Sequence, residues 1–212
     1  TARTLRVLLV VAAAAAAMMC AAAGPAARVL VLGAPGSVPP EQLARALVTF
    51  APGLIGYALV ALLSRALYAQ GDARTPAAAT VVGWLIAIGA DIALVAALPR
   101  SWAVAAIGIG TSIGMTVAGA WLLLVIRRSG GATTVAGAGR AGTAALAAAA
   151  AAIAGGVAVA RALPSGGPAH SVATAVIAGA IALLIHAVVV GALDRPTVGL
   201  LVDRVRAGLR RV

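Results

Sequence analysis

The sequence predicts an all-α, polytopic membrane protein of about six transmembrane helices, and three observations carry that expectation. Of the 212 residues, 63% are hydrophobic and 10% charged, against roughly 45–50% and about 25% in an ordinary globular chain. Too little polar surface remains to clothe a core in water. A mean hydropathy of +1.09 is spread over several long apolar blocks, and a helix needs roughly 20 such residues to cross about 30 Å of hydrocarbon. The alternating pattern of a barrel strand is missing, and lipid leaves backbone groups no partner outside their own element, so helices are the workable spanning unit. The same composition excludes a disordered chain, and the single cysteine, Cys20, excludes an internally disulfide-stapled one.

The first block, Leu5–Ala23, is longer than the roughly 7–15-residue core of a signal peptide. With Thr1 ahead of it, the chain reads as a piece of a longer membrane protein. A loop from Gly24 to Ala46 follows. Within it Pro39, Pro40, Glu41 and Gln42 suit a helix start, and Leu43, Ala46, Leu47 and Phe50 share a face, so a short amphipathic helix is expected to feed the second crossing. That crossing, Leu47–Leu67, carries Pro52 and Gly53 just inside it. Proline there removes a backbone donor and favours a kink, which membrane helices tolerate.

The third and fourth crossings are Ala77–Leu98 and Trp102–Ile126. In the fourth, Ala106, Gly110, Gly114 and Ala118 recur every four residues and make a smooth face against which another backbone can pack closely. The nearby Gly108 and Gly110 do not form a dinucleotide-binding fingerprint, because Ile113 stands where its third glycine is required. The fifth and sixth crossings are Ala141–Leu163 and Val172–Leu193, completing a bundle over 1–193. Proline, glycine and charge fill the breaks at Gly33–Pro40, Gly71–Pro76, Pro99–Ser101, Arg127–Arg140 and Pro164–Ser171. The tail, 194–212, sets Leu201, Val205, Leu209 and Val212 on one face flanked by Arg204, Arg206, Arg210 and Arg211, a pattern suited to a helix on an anionic leaflet.

Net charge is +11, all sixteen cations are arginine, and they gather at the ends of the crossings. Twelve fall on the side of the two termini; Arg28, Arg45, Arg100 and Arg161 fall on the other. The positive-inside tendency then puts both termini in the cytoplasm, with Trp102 at the outer interface. This placement reads as topology and lipid contact, and implies no nucleic-acid partner.

No enzyme constellation is present. The chain has no lysine. Neither histidine, His170 or His186, has metal-spaced neighbours, so no metal or cofactor is implied, and His186 is expected to make one interhelical hydrogen bond. Asp91 is the one acid well inside a crossing, where a carboxylate costs about 2.5–3.5 kcal/mol on insertion scales. It is a candidate coupling or gating residue, or a structural hydrogen-bonding group. At the inner end of the second crossing, Arg65, Tyr68, Asp72 and Arg74 lie within ten residues. Arg65 and Arg74 are candidates for binding a diphosphate, since guanidinium groups grip phosphate oxygens in pairs; alternatively Asp72 pairs with one of them and fastens the loop.

A span ending Ser64-Arg65 with Tyr68-Ala69 after it, then a short loop bearing Asp72, Arg74, Thr75 and Pro76, resembles the MurJ/MviN family of lipid II flippases, within the wider superfamily of multidrug and polysaccharide exporters. By that resemblance the six crossings are similar to the ninth to fourteenth helices, the C-terminal lobe, of a fourteen-helix transporter. Asp91 stands where many members carry asparagine. The resemblance implies transport and no bond-making: the undecaprenyl-pyrophosphate-linked peptidoglycan precursor is moved across the bacterial plasma membrane by alternating access between two lobes. It also implies that the arginine-lined cavity belongs mostly to an N-terminal lobe upstream of this chain, and that the fifth and sixth crossings hold the lipid tail. The partners implied are the lipid-linked precursor, membrane lipids and that N-terminal lobe. Two other readings of the residues stay open: another exporter of the superfamily, for a polysaccharide-linked lipid or a drug, or a non-transporting membrane scaffold.

Overall fold

The structure, a computed structural model, describes residues 2–31, 39–163 and 166–200. Six long helices run α1 Ala2–Val31, α2 Pro40–Tyr68, α3 Arg74–Ala97, α4 Ala103–Gly130, α5 Ala138–Ala162 and α6 Pro168–Leu193. Short 3₁₀ turns at Arg100–Trp102 and Ala132–Val135 precede α4 and α5. Among the described residues there is no strand, and all six helices are long and apolar enough to span a membrane.

Helix ends differ from the sequence expectation by up to four residues in α3 to α6, as where α4 runs on to Gly130 and α6 starts at Pro168, and by more at two places. Helix α1 does not stop at Ala23 but continues through Gly24 and Pro25 to Val31. The residues beyond Pro25 are strong helix formers or apolar, and proline's lost donor is tolerable in such a span. The short amphipathic helix expected before the second crossing is not separate: it is the start of α2, with Pro40 in the first turn and Pro52 inside the helix. Residues 201–212, which carry most of the expected amphipathic tail, lie outside the described residues. The tail begins as a helical turn over 195–200.

The helices form two packed groups. In one, α4 lies between α2 and α3, which barely touch each other; in the other, α1, α5 and α6 pack mutually, and α1 joins the groups by packing on α2. Small residues explain both. A Cβ on Gly114 would meet the Gly83 carbonyl and Ala87 of α3, and one on Gly83 would lie 2.8 Å from Ala118 Cβ. The expected face of Ala106, Gly110, Gly114 and Ala118 is thus buried against α3. A second face, unread in the sequence, meets α2: a Cβ on Gly56 would lie 2.5 Å from the Met115 carbonyl carbon, and one on Gly119 2.8 Å from the Gly56 oxygen. In the other group, Ala13, Ala17 and Ala21 of α1 interlock with Ala145, Ala148 and Ala152 of α5 and Ala182 of α6. Without a hydrophobic force between helices in lipid, such close approach supplies dispersion contacts instead. Large apolar side chains point outward, among them Leu85, Ile88 and Ile92 of α3 and Val176, Leu184 and Val188 of α6, as a lipid-facing surface requires.

Candidate functional site

The rim that the arginine distribution assigns to the inner side is built on the turn between α2 and α3. Gly71 takes φ +81, a left-handed conformation that favours glycine. The turn delivers Asp72 to the start of α3, where its Oδ1 accepts the backbone N–H groups of Arg74 at 3.1 Å and Thr75 at 3.0 Å. Two orphan donors of the helix start are thereby satisfied. Hydrogen bonding from Thr75, side chain and backbone, with a smaller contribution from Arg74, holds the Asp72 carboxyl below its ordinary range. Asp72 fastens the loop through the backbone; among the described residues it forms no salt bridge with Arg65 or Arg74. Both guanidiniums are exposed at this rim, Arg65 in the last turn of α2 and Arg74 at the first residue of α3.

Asp91 is half-buried on α3 and directed at α4. A Cβ on Gly110 would collide with Asp91 Oδ1 and come within 2.9 Å of the Asp91 backbone nitrogen. Glycine at 110 therefore makes the space in which the carboxyl sits. Oδ1 is buried and has no hydrogen-bond partner among the described residues. Asp91 is not brought together with Arg65 or Arg74, which lie at the opposite, inner end of the α2–α3 hairpin.

His186 is 2% exposed, and its Nε2 donates to the Val10 carbonyl of α1 at 3.1 Å, the single interhelical bond the sequence suggests. Among the described residues no group of histidine, cysteine and carboxylate side chains has a metal-binding arrangement. The helices expected to hold a lipid tail, α5 and α6, pack directly on each other: a Cβ on Gly156 would lie 3.0 Å from the Ala178 carbonyl oxygen. At the inner end, Asp194 accepts the Thr197 hydroxyl at 2.5 Å and lies 4.0 Å from the Arg140 Nε, which ties the beginning of the tail to the start of α5.

Two residues that carry no sequence signal repair α2 at Pro52. Proline has no N–H to give the carbonyl four residues earlier, Val48. Cys20 Sγ of α1 stands 3.9 Å from that oxygen as a weak donor. One residue on, Ser112 Oγ of α4 accepts the Gly53 N–H at 3.0 Å and donates to the Thr49 carbonyl at 2.7 Å. Pro52 marks the break from sequence alone, but its partners on other helices are visible only in the fold.

The family model described as lipid II flippase MurJ matches residues 1–189 of this chain. No curated protein and no solved structure gives a significant match.

Proposed function

Because the chain belongs to the MurJ family of lipid II flippases, whose members are inner-membrane transporters and not enzymes, we propose that it takes part in moving the undecaprenyl-pyrophosphate-linked peptidoglycan precursor from the inner to the outer leaflet. The observation that carries this reading is the family match over residues 1–189 on a chain of six spanning helices. The physical task is to carry a charged, sugar-bearing headgroup through hydrocarbon, where unpaired charge is very costly. Alternating access between two lobes does so by opening a polar cavity to each side in turn. These helices form one lobe, and an upstream lobe completes the cavity.

Arg65 and Arg74 receive the diphosphate at the inner rim. Their support is position: two guanidiniums that form no salt bridge among the described residues flank a turn pinned by Asp72, and each can offer paired donors to phosphate oxygens. Asp91 acts in coupling or gating. Its support is a carboxyl oxygen inside a span with no hydrogen-bond partner among the described residues, a costly feature that a structural role leaves unexplained.

The test is complementation of flippase-depleted bacteria with the full-length protein. Restored growth is expected, as is loss of rescue in the Arg65→Gln/Arg74→Gln variant at equal membrane abundance. Normal insertion without restored growth would reject the reading.

A further inference from the structure

The outer end of the bundle, as the arginine distribution assigns it, carries few cations, yet three of its four arginines converge. Arg28 near the end of α1, Arg45 in the second turn of α2 and Arg161 near the end of α5 line one cavity of about 570 Å³. Arg45 is fixed in place: its guanidinium carbon lies 5.3 Å from the Trp102 ring centroid, and its Nη1 donates to the Ser101 carbonyl at 3.4 Å. No salt bridge neutralises any of the three among the described residues. Between Gly24 and Ala46 the one carboxylate in sequence is Glu41, in the first turn of α2.

Helix-end electrostatics accounts for only part of this. Cations suit the last turn of a helix, which covers Arg28 and Arg161 singly. It does not account for Arg45, which sits near a helix start, nor for all three facing a common space on the side where arginine is disfavoured.

A second cavity, about 580 Å³, lies between α2 and α4 and is lined by Pro52, Ile109, Ile113 and Val117 among others. Val48 and Thr49 form walls of both cavities. A cavity with three arginines in its wall therefore adjoins an apolar groove.

We propose that this end of the bundle is a binding site for a lipid whose headgroup carries at least two phosphate charges, with the headgroup on Arg28, Arg45 and Arg161 and the chain in the groove between α2 and α4. Three guanidiniums without a carboxylate match more than one negative charge, and the adjoining groove selects an amphiphile over a free anion. The site is separate from the inner-rim arginines and does not depend on their role.

The full-length protein, reconstituted in phosphatidylcholine vesicles, tests this with three probes: a polyprenyl diphosphate, phosphatidylglycerol and inorganic pyrophosphate. The polyprenyl diphosphate is expected to bind at least about tenfold more tightly than either of the others. The Arg28→Gln/Arg161→Gln variant, which keeps the Arg45 contacts, is expected to lose about tenfold or more of that affinity. Val117→Trp, which fills the groove, is expected to weaken the lipid while leaving pyrophosphate unchanged. Melting temperature of each variant is measured alongside, so that a fold defect is separated from a lost site. Equal affinity in a normally folded arginine variant would overturn the proposal, as would pyrophosphate binding as tightly as the lipid.

Discussion

Ser112 Oγ lies 3.0 Å from the Gly53 backbone nitrogen and 2.7 Å from the Thr49 carbonyl oxygen, so one hydroxyl on α4 bridges the turn of α2 that Pro52 interrupts. In hydrocarbon the freed backbone groups have no water to turn to, and a neighbouring helix must supply the partner. Ser112→Ala removes the hydroxyl that bonds to both groups, and a loss of about 0.5–1.5 kcal/mol is expected. Unfolding in lipid nanodiscs measures it, with Ser129→Ala, whose hydroxyl bonds within its own helix, expected to be nearly neutral.

The α2–α4 contact makes a sharper prediction about glycine. A Cβ on Gly56 would lie 2.5–2.6 Å from backbone atoms of Met115 and Thr116, whereas one on Gly89 meets nothing within 4 Å. Ala is the better helix former by about 1 kcal/mol, so Gly89→Ala should leave stability unchanged or slightly raised. Gly56→Ala must push two backbones apart, an overpacking cost of about 1–3 kcal/mol. Thermal unfolding of the two variants in one detergent compares them.

The cap on α3 is a pH-dependent contact. Its hydrogen bonds hold the Asp72 carboxyl below its ordinary range, so the folded group releases its proton more readily than the unfolded one. Its stabilising contribution is present above the unfolded value, about 3.9, and is lost as pH falls through the lower folded value. Amide exchange at Arg74 and Thr75, corrected for intrinsic rate, should rise as the medium is taken below about pH 4. Asp72→Asn retains an acceptor for the cap and should remove that pH dependence.

Asp91 separates a gating role from a structural one. Asp91→Asn preserves size and hydrogen-bonding capacity and removes the charge. If the carboxyl acts in coupling, translocation should fall about tenfold or more, equivalent to about 1.4 kcal/mol, with melting temperature unchanged. A variant with normal transport and altered melting would make Asp91 a packing group beside Gly110.

Much of this fold was legible in the chain because hydropathy length is a coarse, strong signal in lipid. The span Leu47–Leu67 falls inside α2 for that reason, and Ala77–Leu98 inside α3 but for its last residue. Ends were less legible: Pro25 reads as punctuation, yet α1 passes through it, because a proline inside a membrane helix does not force a stop. The Ala106–Ala118 face could be read from its four-residue period, whereas the face bearing Ser112 and Gly119 lacks so regular a repeat. Pairings between distant segments, such as Cys20 with Val48 or Asp91 with Gly110, have no local signature at all. At the inner rim, charge alone left Asp72 open as an ion-pair partner. The turn at Gly71 aims it at the backbone of α3 instead.

The most direct test of the central claim is translocation itself. In spheroplasts of flippase-depleted bacteria expressing the full-length protein, a membrane-impermeant amine reagent added outside labels only the lipid-linked precursor that has reached the outer leaflet. Labelling restored to the level of undepleted cells is the predicted result. A correctly inserted protein that leaves the precursor confined to the inner leaflet would contradict the account.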